Sequence, residues 1–210
     1  MWNVCWQCGR YRADKQVDPD GPAAVCPECG HRHLFRQLPL MLVSGASGAG
    51  KSTVCQALLG RLSGAILLDS DILWRPEFNT PENQYRDFFE TWLRTCKNIG
   101  QSGRPVVLFG AGAGVPGNLE PCIERRYFSD LHYLALTCDD EVLVQRLEAR
   151  PAWRGTRTPE FQAEQIRFNR WFKSQAERSA PGIELIDTTG IPVASTVERV
   201  AAWIRDKVAV

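Results

Sequence analysis

The sequence has no apolar run long enough to cross a membrane and no excess of charge of one sign. A spanning helix needs about 18 consecutive apolar residues, and no such run is present. Lysine and arginine number 25 against 24 aspartates and glutamates, a formal net charge of +1. This balance gives no global basic field of the kind that attracts nucleic acid. The first residues lack a basic segment followed by an apolar one, so we expect no secretory signal, no membrane association and a cytoplasmic location.

The length and composition are those of a globular protein. Of the 210 residues, 44% are hydrophobic and 23% are charged, which excludes a largely disordered chain. Domains usually have about 100–200 residues, so the chain has room for one domain and roughly forty residues more.

Cysteine is the one residue type whose arrangement is unusual. Four of the eight cysteines form two C-x-x-C pairs, Cys5 with Cys8 and Cys26 with Cys29. Seventeen residues separate the pairs, a spacing typical of zinc sites in a reducing compartment. The others occur singly in apolar segments, and we predict that they are small buried side chains. They are Cys55, Cys96, Cys122 and Cys138.

Residues 1–36, which contain both pairs, resemble a zinc ribbon, and residues 18–22 between the pairs predict a hairpin or an open loop. Four thiolates close the coordination shell of Zn²⁺, so the metal has a structural or docking role. Iron in a rubredoxin-like site is the chemical alternative. We expect His31 and His33 at the surface. The segment has five basic and four acidic side chains, which gives little support for nucleic-acid binding.

A phosphate-binding loop follows an apolar strand at 38–43. Residues 45–53 match the Walker A pattern G-x-x-x-x-G-K-[ST], and a helix is predicted after them over 54–62. Glycines let the backbone N–H groups surround a phosphate at the positive end of the helix. We expect Lys51 to contact the β- and γ-phosphates and Ser52 to bind Mg²⁺. The predicted nucleotide-binding residues are Gly45, Ala46, Ser47, Gly48, Ala49, Gly50, Lys51, Ser52 and Thr53.

The rest of the chain alternates strands with helices. Such alternation predicts an α/β fold in which five parallel strands are covered by helices on both faces, within a domain that spans 37–210. Ligands bind such sheets at the carboxyl ends of the strands. The predicted strands are 38–43, 65–68, 105–109, 131–137 and 183–187, and the later helices are 81–100, 140–150, 159–179 and 192–207.

Two classes of P-loop protein are disfavoured by what is missing. No N-K-x-D guanine motif is present, and the D-x-x-G match at 187–190 follows the last strand. A motor or AAA+ ATPase would carry an acidic residue at the end of a hydrophobic strand, whereas the 105–109 strand ends in glycine. The acidic pair Asp69 and Asp71 instead follows the strand after the P-loop helix.

Over residues 38–208 the sequence resembles the P-loop small-molecule kinases, a group that includes nucleoside and nucleotide kinases, shikimate kinase, gluconate kinase and chloramphenicol phosphotransferase. The resemblance rests on 45–53, the L-D-S-D-I-L segment at 68–73, the helix at 139–150 with its R-L-x-x-R sequence, and I-D-T-T at 186–189. It implies ATP and Mg²⁺ as cofactors and an arginine-rich lid near 150–159.

The resemblance also implies roles for the charged residues. Asp71 would orient the acceptor hydroxyl and take its proton, and Asp69 would act on the Mg²⁺ shell or hold substrate, although the two could exchange roles. Arg146 or Arg150 would lie near the adenine or the phosphates, and Arg154 would neutralise charge during transfer. For Asp71 the simpler alternative is a helix N-cap, and for the arginines it is a solvated surface.

Acceptor specificity is predicted for the segment after Asp71 and for the glycine-rich loop 110–117. Aromatic side chains beside an arginine suit a ring that carries hydroxyls, so a nucleoside is the first expectation. A sugar acid, an antibiotic and other metabolites remain open. The candidate substrate residues are Asp69, Asp71, Trp74, Arg75, Phe78, Gly112, Gly114, Glu120, Arg125 and Arg126.

Two alternatives use the ribbon differently. The chain could be a nucleic-acid-associated or regulatory NTPase with the ribbon as its binding module, or a polynucleotide end kinase. The neutral charge balance disfavours the second, since a polynucleotide acceptor needs a basic track. The oligomeric state and the choice between ATP and GTP are open.

Overall fold

The computed structural model describes residues 3–18, 20–176 and 178–208. Its first sheet is small and antiparallel, in the order β1-β2-β3. It consists of β1 (Gln16–Asp18), β2 (Ala23–Val25) and β3 (Arg32–Leu34). β1 and β2 pair as a hairpin, which is one of the two alternatives predicted at 18–22, the other being an open loop. Pro19 lies outside the described residues.

The second sheet confirms the predicted α/β class. Its five strands are all parallel and lie in the order β5-β6-β4-β7-β8. The strand that leads into the phosphate-binding loop is therefore central. The strands are β4 (Leu40–Gly45), β5 (Ile66–Asp69), β6 (Val106–Phe109), β7 (Leu131–Thr137) and β8 (Ile183–Asp187).

Helices connect these strands. They are α1 (Lys51–Leu58), α2 (Arg86–Gly100), α3 (Pro116–Leu119), α4 (Asp140–Glu148), α5 (Pro159–Gln175) and α6 (Val193–Val208). Within the described part of the chain, no helix has both the length and the apolar character needed to span a membrane.

Several helix bounds differ from the prediction. α1 spans Lys51–Leu58 and not 54–62, and α4 ends at Glu148 and not at 150. Residues 81–83 form only one 3₁₀ turn, because Gln84 and Tyr85 adopt left-handed φ values of 58° and 56° that interrupt the helix. α2 therefore begins at Arg86. α5 ends at Gln175, before the predicted end at 179.

The central strand explains why helices cover both faces. All of β4 is buried, and its side chains alternate between two apolar clusters. Leu40 and Leu42 pack with Phe88 and Trp92 of α2 on one face. Met41 and Val43 pack with residues of α1 and α6 on the other. A strand buried on both sides has to be apolar throughout, which is why the sequence signal for β4 is so clear.

The N-terminal segment lies against the larger sheet's helical layer. Asn3 Nδ2 donates to Glu124 Oε1 at 2.9 Å, and Tyr127 Oη donates to the carbonyl of Ala13 at 2.6 Å. Lys97 of α2 pairs with Glu124 at 2.6 Å, and both side chains are completely buried. The division of the chain at residue 36 remains a prediction.

Candidate active site and metal centre

The phosphate-binding loop joins β4 to α1 at the carboxyl edge of the sheet. Gly45 has a φ of 139°, and a Cβ at this position would lie 2.3 Å from the carbonyl oxygen of Leu136 on β7. Only glycine fits this approach. Gly50 has a φ of 107°, and α1 begins at the next residue. The backbone N–H groups of the first turn of α1 therefore face the loop, as anion binding at a helix N-terminus requires.

Lys51 folds back on the loop that carries it. Its Nζ donates to the carbonyl oxygens of Gly45 at 2.7 Å and Ala46 at 3.0 Å. Burial lowers the pKa of Lys51 to about 8, although Asp71 and Asp69 act in the opposite direction. A lysine held by neutral carbonyls near a cavity is ready to transfer its hydrogen bonds to a phosphate, whose charge would raise its pKa again.

A cavity of about 270 Å³ opens beside the loop. Arg146 forms part of its wall and is fixed by Thr188: its guanidinium donates to the Thr188 Oγ1 and carbonyl oxygen, both at 2.9 Å. The predicted residues 48–53 and both predicted arginines are thus brought together, whereas Gly45, Ala46 and Ser47 do not line this cavity. The lining residues are Gly48, Ala49, Gly50, Lys51, Ser52, Thr53, Val54, Arg146, Arg150, Thr188, Ile191, Val193 and Thr196.

A second cavity, of about 120 Å³, adjoins the other side of the loop. Both predicted aspartates, Asp69 and Asp71, and the predicted lid residue Arg154 line it. Lys51, Ser52 and Arg150 line this cavity as well as the first, so the two cavities meet at the loop. The second is lined by Ser47, Lys51, Ser52, Asp69, Asp71, Phe109, Gly110, Ala111, Arg150 and Arg154.

Asp69 and Asp71 have different local roles. Asp69 is the N-cap of the 3₁₀ turn at 70–73, and its Oδ1 accepts from the Asp71 backbone N–H at 2.9 Å. The N-cap considered for Asp71 therefore belongs to Asp69. Burial and the nearby charge of Asp69 raise the pKa of Asp71, while Lys51 acts against this rise. A carboxylate with a raised pKa is a better proton acceptor than an ordinary one.

The oxygen atoms at the junction suit a magnesium ion. Mg²⁺ prefers oxygen ligands and keeps several waters. The Ser52 hydroxyl and the Asp69 and Asp71 carboxylates border one cavity, so this donor set fits the ion.

The lid arginines extend from the end of α4. Arg150 donates to Ser47 Oγ at 2.8 Å, and Arg157 donates to the carbonyl of Arg150 at 2.8 Å. Arg154 lies over the ring of Trp153 at 5.0 Å and reaches the second cavity, whereas the Trp153 side chain is 79% exposed.

The predicted substrate residues are only partly brought together. Trp74 follows Asp71 closely in the sequence and is 45% exposed. Its ring packs on that of Phe88, with centroids 5.2 Å apart. Arg75 lies over the Phe78 ring at 5.2 Å. Neither Trp74 nor Arg75 lines the two cavities, so their contact with substrate remains a prediction.

The glycine loop has a packing role. A Cβ on Gly114 would lie 2.1 Å from the Cβ of Ser44, and one on Gly112 would lie 3.0 Å from the Phe89 ring. Both glycines allow the loop to approach β4 and α2, and neither lines the two cavities. Their contact with substrate also remains a prediction.

Three charged residues after this loop have structural partners. Arg125 pairs with Glu120 at 2.9 Å. Arg126 donates to the carbonyl oxygens of Asp14 and Lys15 at 3.2 and 3.3 Å. Arg126 therefore joins the N-terminal segment to the core, and this contact accounts for it without a substrate.

The four predicted zinc ligands converge. Their sulfur atoms all lie within 4.8 Å of one another, and they form the one such cluster of candidate ligands among the described residues. Cys5 and Cys29 Sγ are 3.7 Å apart, and Cys8 and Cys26 Sγ are 3.9 Å apart. Tetrahedral Zn²⁺ with bonds of about 2.3 Å requires separations of about 3.8 Å, so the cluster fits the ion.

Hydrogen bonds favour the metal-binding form of Cys5. Burial opposes ionisation of this thiol, but backbone N–H groups of Cys8 and Gln7 and the ring of His33 outweigh it and lower the pKa to about 5. His33 Nε2 lies 3.4 Å from Cys5 Sγ, and its side chain is 2% exposed. The expectation that His33 lies at the surface is therefore wrong. His33 is a buried residue of β3, and its ring contacts the sulfur of the predicted zinc ligand Cys5. The four single cysteines are buried, as predicted.

One site residue had no sequence signal. Gln165 of α5 accepts from the Ser47 backbone N–H through Oε1 at 2.8 Å. The two residues are 118 positions apart, and an isolated glutamine belongs to no motif. Thr188 could have been found, because it lies in the I-D-T-T segment at the end of β8.

Solved structures that share this fold include two kinases and one resistance protein. A sugar kinase from Janibacter sp. HTCC2649 has a TM-score of 0.59 and 17% identity, with 81% of this chain and 95% of that chain covered. A gluconokinase from Sinorhizobium meliloti 1021 has a TM-score of 0.52 and 22% identity, with coverage of 83% and 94%. The tunicamycin resistance protein of Deinococcus radiodurans has a TM-score of 0.56 and 18% identity, with coverage of 80% and 96%. At these identities the likeness shows the P-loop kinase fold.

No curated protein matches the sequence. Residues 41–167 match the family model described as an AAA domain (AAA_18), and the chain belongs to this family. The match revises our expectation that the chain lies outside the AAA group. The geometry behind that expectation stands, because Phe109 is followed by Gly110, while Asp69 ends the neighbouring strand β5 and Asp71 lies in the turn after it.

Proposed function

We propose that this member of the AAA-domain family is an ATP-dependent kinase that transfers the γ-phosphoryl group to a hydroxyl of a small molecule. One observation carries the proposal: the cavity beside the phosphate-binding loop and the cavity of Asp69 and Asp71 meet at Lys51 and Ser52. A nucleotide in the first cavity would extend its terminal phosphate toward an acceptor in the second.

The residues supply what phosphoryl transfer needs, namely positioning and neutralisation of charge. Mg²⁺, when bound at Ser52, would neutralise charge on the β- and γ-phosphates. Lys51 contacts the same phosphates, and Arg154 approaches from the lid. The acceptor oxygen attacks the γ-phosphorus while the bond to the β–γ bridging oxygen breaks, and ADP leaves with that electron pair.

Asp71 takes the proton that the acceptor hydroxyl loses. The raised pKa of Asp71, caused by burial and by Asp69 and opposed by Lys51, supports this role. Asp69 is engaged at the backbone of Asp71, so we assign it to the Mg²⁺ shell and to holding Asp71 in place.

A nucleoside is the acceptor class that we propose first. The half-exposed Trp74 and the Arg75–Phe78 pair follow Asp71 in sequence and offer a surface for a ring. The structurally similar sugar kinase and gluconokinase make sugars and sugar acids the next classes to test.

We further propose that the zinc ribbon is structural and that the protein is cytoplasmic. None of the eight cysteines is in a disulfide, and four of them form the candidate zinc cluster, a usage typical of a reducing compartment. Arg12 and Arg32 of the ribbon pair with Asp14 at 2.7 Å and Asp18 at 2.6 Å. Arginines paired in this way leave little basic surface for nucleic acid, so that partner remains an unsupported alternative.

The test is acceptor-dependent release of ADP. Purified protein with MgATP would be screened against nucleosides, sugar acids and hydroxylated antibiotics, alongside Asp71→Asn and a control, Asp206→Asn, on the exposed end of α6. We expect an active acceptor whose turnover falls by about 10²–10⁴-fold in Asp71→Asn and is unchanged in Asp206→Asn. Hydrolysis of ATP that no acceptor stimulates and that Asp71→Asn does not affect would refute the proposal.

A further inference from the structure

Two residues from outside the phosphate-binding loop hold Ser47. Its backbone N–H donates to Gln165 Oε1 on α5, and its Oγ accepts from the Arg150 guanidinium beyond α4, both at 2.8 Å. The Walker A pattern by itself specifies no partner on α5. Ser47 therefore makes polar contacts with α5 through its backbone and with the residue after α4 through its side chain.

Ser47 occupies a special place in the loop. Residues 48–54 line the nucleotide cavity, whereas Ser47 lines the second cavity, beside Asp71 and Arg154. A phosphate chain that passes from the first cavity to the second would bring its terminal group, and not its inner groups, next to Ser47.

We propose that Gln165 is a positioning residue that acts through Ser47 and makes the loop favour a nucleoside triphosphate over a diphosphate. The inference rests on the proposed function. The Gln165 carbonyl satisfies the Ser47 N–H and fixes this end of the loop. Ser47 Oγ in turn holds the Arg150 cation where the two cavities meet, at the entrance to the cavity that would receive the terminal phosphate. A diphosphate does not extend to this point, so its binding is insensitive to Gln165.

The variant Gln165→Met removes the acceptor oxygen and keeps the side-chain length. Binding of ADP and of the non-hydrolysable analogue AMP-PNP, each with Mg²⁺, would be measured by titration calorimetry. Loss of one hydrogen bond predicts that AMP-PNP affinity falls about five- to tenfold, while ADP affinity changes less than about twofold. Gln175→Met, at the other end of α5, is the matched control and should bind both ligands as the parent protein does.

Equal weakening of both ligands would overturn the inference, because it would show a general structural role for Gln165. Unchanged AMP-PNP affinity would overturn it as well. A parent protein that binds neither nucleotide would instead refute the proposed function, so the two failures are distinguishable.

If Gln165→Met does not fold, Gln165→Glu provides the test. Its carboxylate keeps an acceptor for the Ser47 N–H and adds a negative charge at the same place. We expect about tenfold weaker binding of AMP-PNP with ADP unaffected, since the charge opposes the terminal phosphate. A variant that weakens both ligands alike, or neither, overturns the inference.

Discussion

The phosphate-binding loop and the surface where the ribbon meets the core are held together in opposite ways. In the loop, Lys51 contacts carbonyls five and six residues away, and glycines create the shape. At the ribbon surface, Lys97 contacts a residue 94 positions away and Glu124 one 121 positions away. The first arrangement is local and can be recognised as a motif, whereas the second exists only after folding.

The ribbon surface also contains a completely buried ion pair, Lys97 with Glu124. Glu124 accepts hydrogen bonds from Lys97 at 2.6 Å, Asn3 at 2.9 Å and Arg94 at 2.9 Å. Burial alone would raise the pKa of Glu124, but these donors outweigh it and lower the pKa below its usual range. A buried charge is tolerated when it is paired and hydrogen-bonded in this way. The ribbon therefore supplies, through Asn3, one of the hydrogen bonds that stabilise the buried charge of Glu124 in the core.

The largest expected effect is loss of the metal. Structural zinc contributes about 10–16 kcal/mol in small sites, far more than the ribbon's small sheet could supply. In the variant Cys26→Ser/Cys29→Ser we expect one zinc per chain to be lost and hydrogen-exchange protection to disappear at 3–36 while β4 and α1 keep theirs. Elemental analysis and hydrogen-exchange mass spectrometry measure both.

A matched control separates the metal from cysteine loss in general. Cys55→Ser removes a buried thiol on α1, outside the cluster, and should retain its zinc. A ribbon that stays protected without metal would show that contacts with the core, and not the ion, hold it.

The next effect in size is at the buried ion pair. Glu124→Gln leaves Lys97 charged and buried without its counter-charge, so we expect a loss of about 3–5 kcal/mol in the free energy of unfolding. Lys97→Met should cost a similar amount, and the double variant less than the sum of the two. Denaturant unfolding measures each value. The control Arg61→Ala breaks an exposed pair with Glu198 and should change the free energy of unfolding by less than about 1 kcal/mol. Equal losses at the buried and the exposed pair would contradict the role given to burial.

The smallest effect expected is in the loop, and it depends on pH. The Lys51 pKa of about 8 in the free protein lies below the ordinary value, and phosphate binds the protonated form. Nucleotide affinity should therefore be constant below pH 8 and fall by up to about tenfold per pH unit above it. The variant Lys51→Met should bind nucleotide more weakly, and its affinity should not fall above pH 8. A parent profile that stays flat from pH 7 to about 9.5 would exclude this role for Lys51.

Local patterns were sufficient to predict the loop, the five parallel strands and the cysteine cluster. Each rests on neighbours in sequence: glycines before Lys51, an apolar run at β4, and paired cysteines with two residues between them. His33, Gln165 and Arg126 were missed or misread because their partners are distant. The start of α2 was misplaced because left-handed backbone at Gln84 and Tyr85 has no signature in residues that are neither glycine nor asparagine.

The central claim is phosphoryl transfer at the junction of the two cavities. The most direct test is to incubate the protein with ATP labelled in the γ-phosphate, Mg²⁺ and the acceptor panel, and to identify the labelled product by mass spectrometry. The account predicts label on a hydroxyl of one acceptor class, with transfer lost in Asp71→Asn. Label found only in inorganic phosphate, whatever acceptor is present, would contradict it.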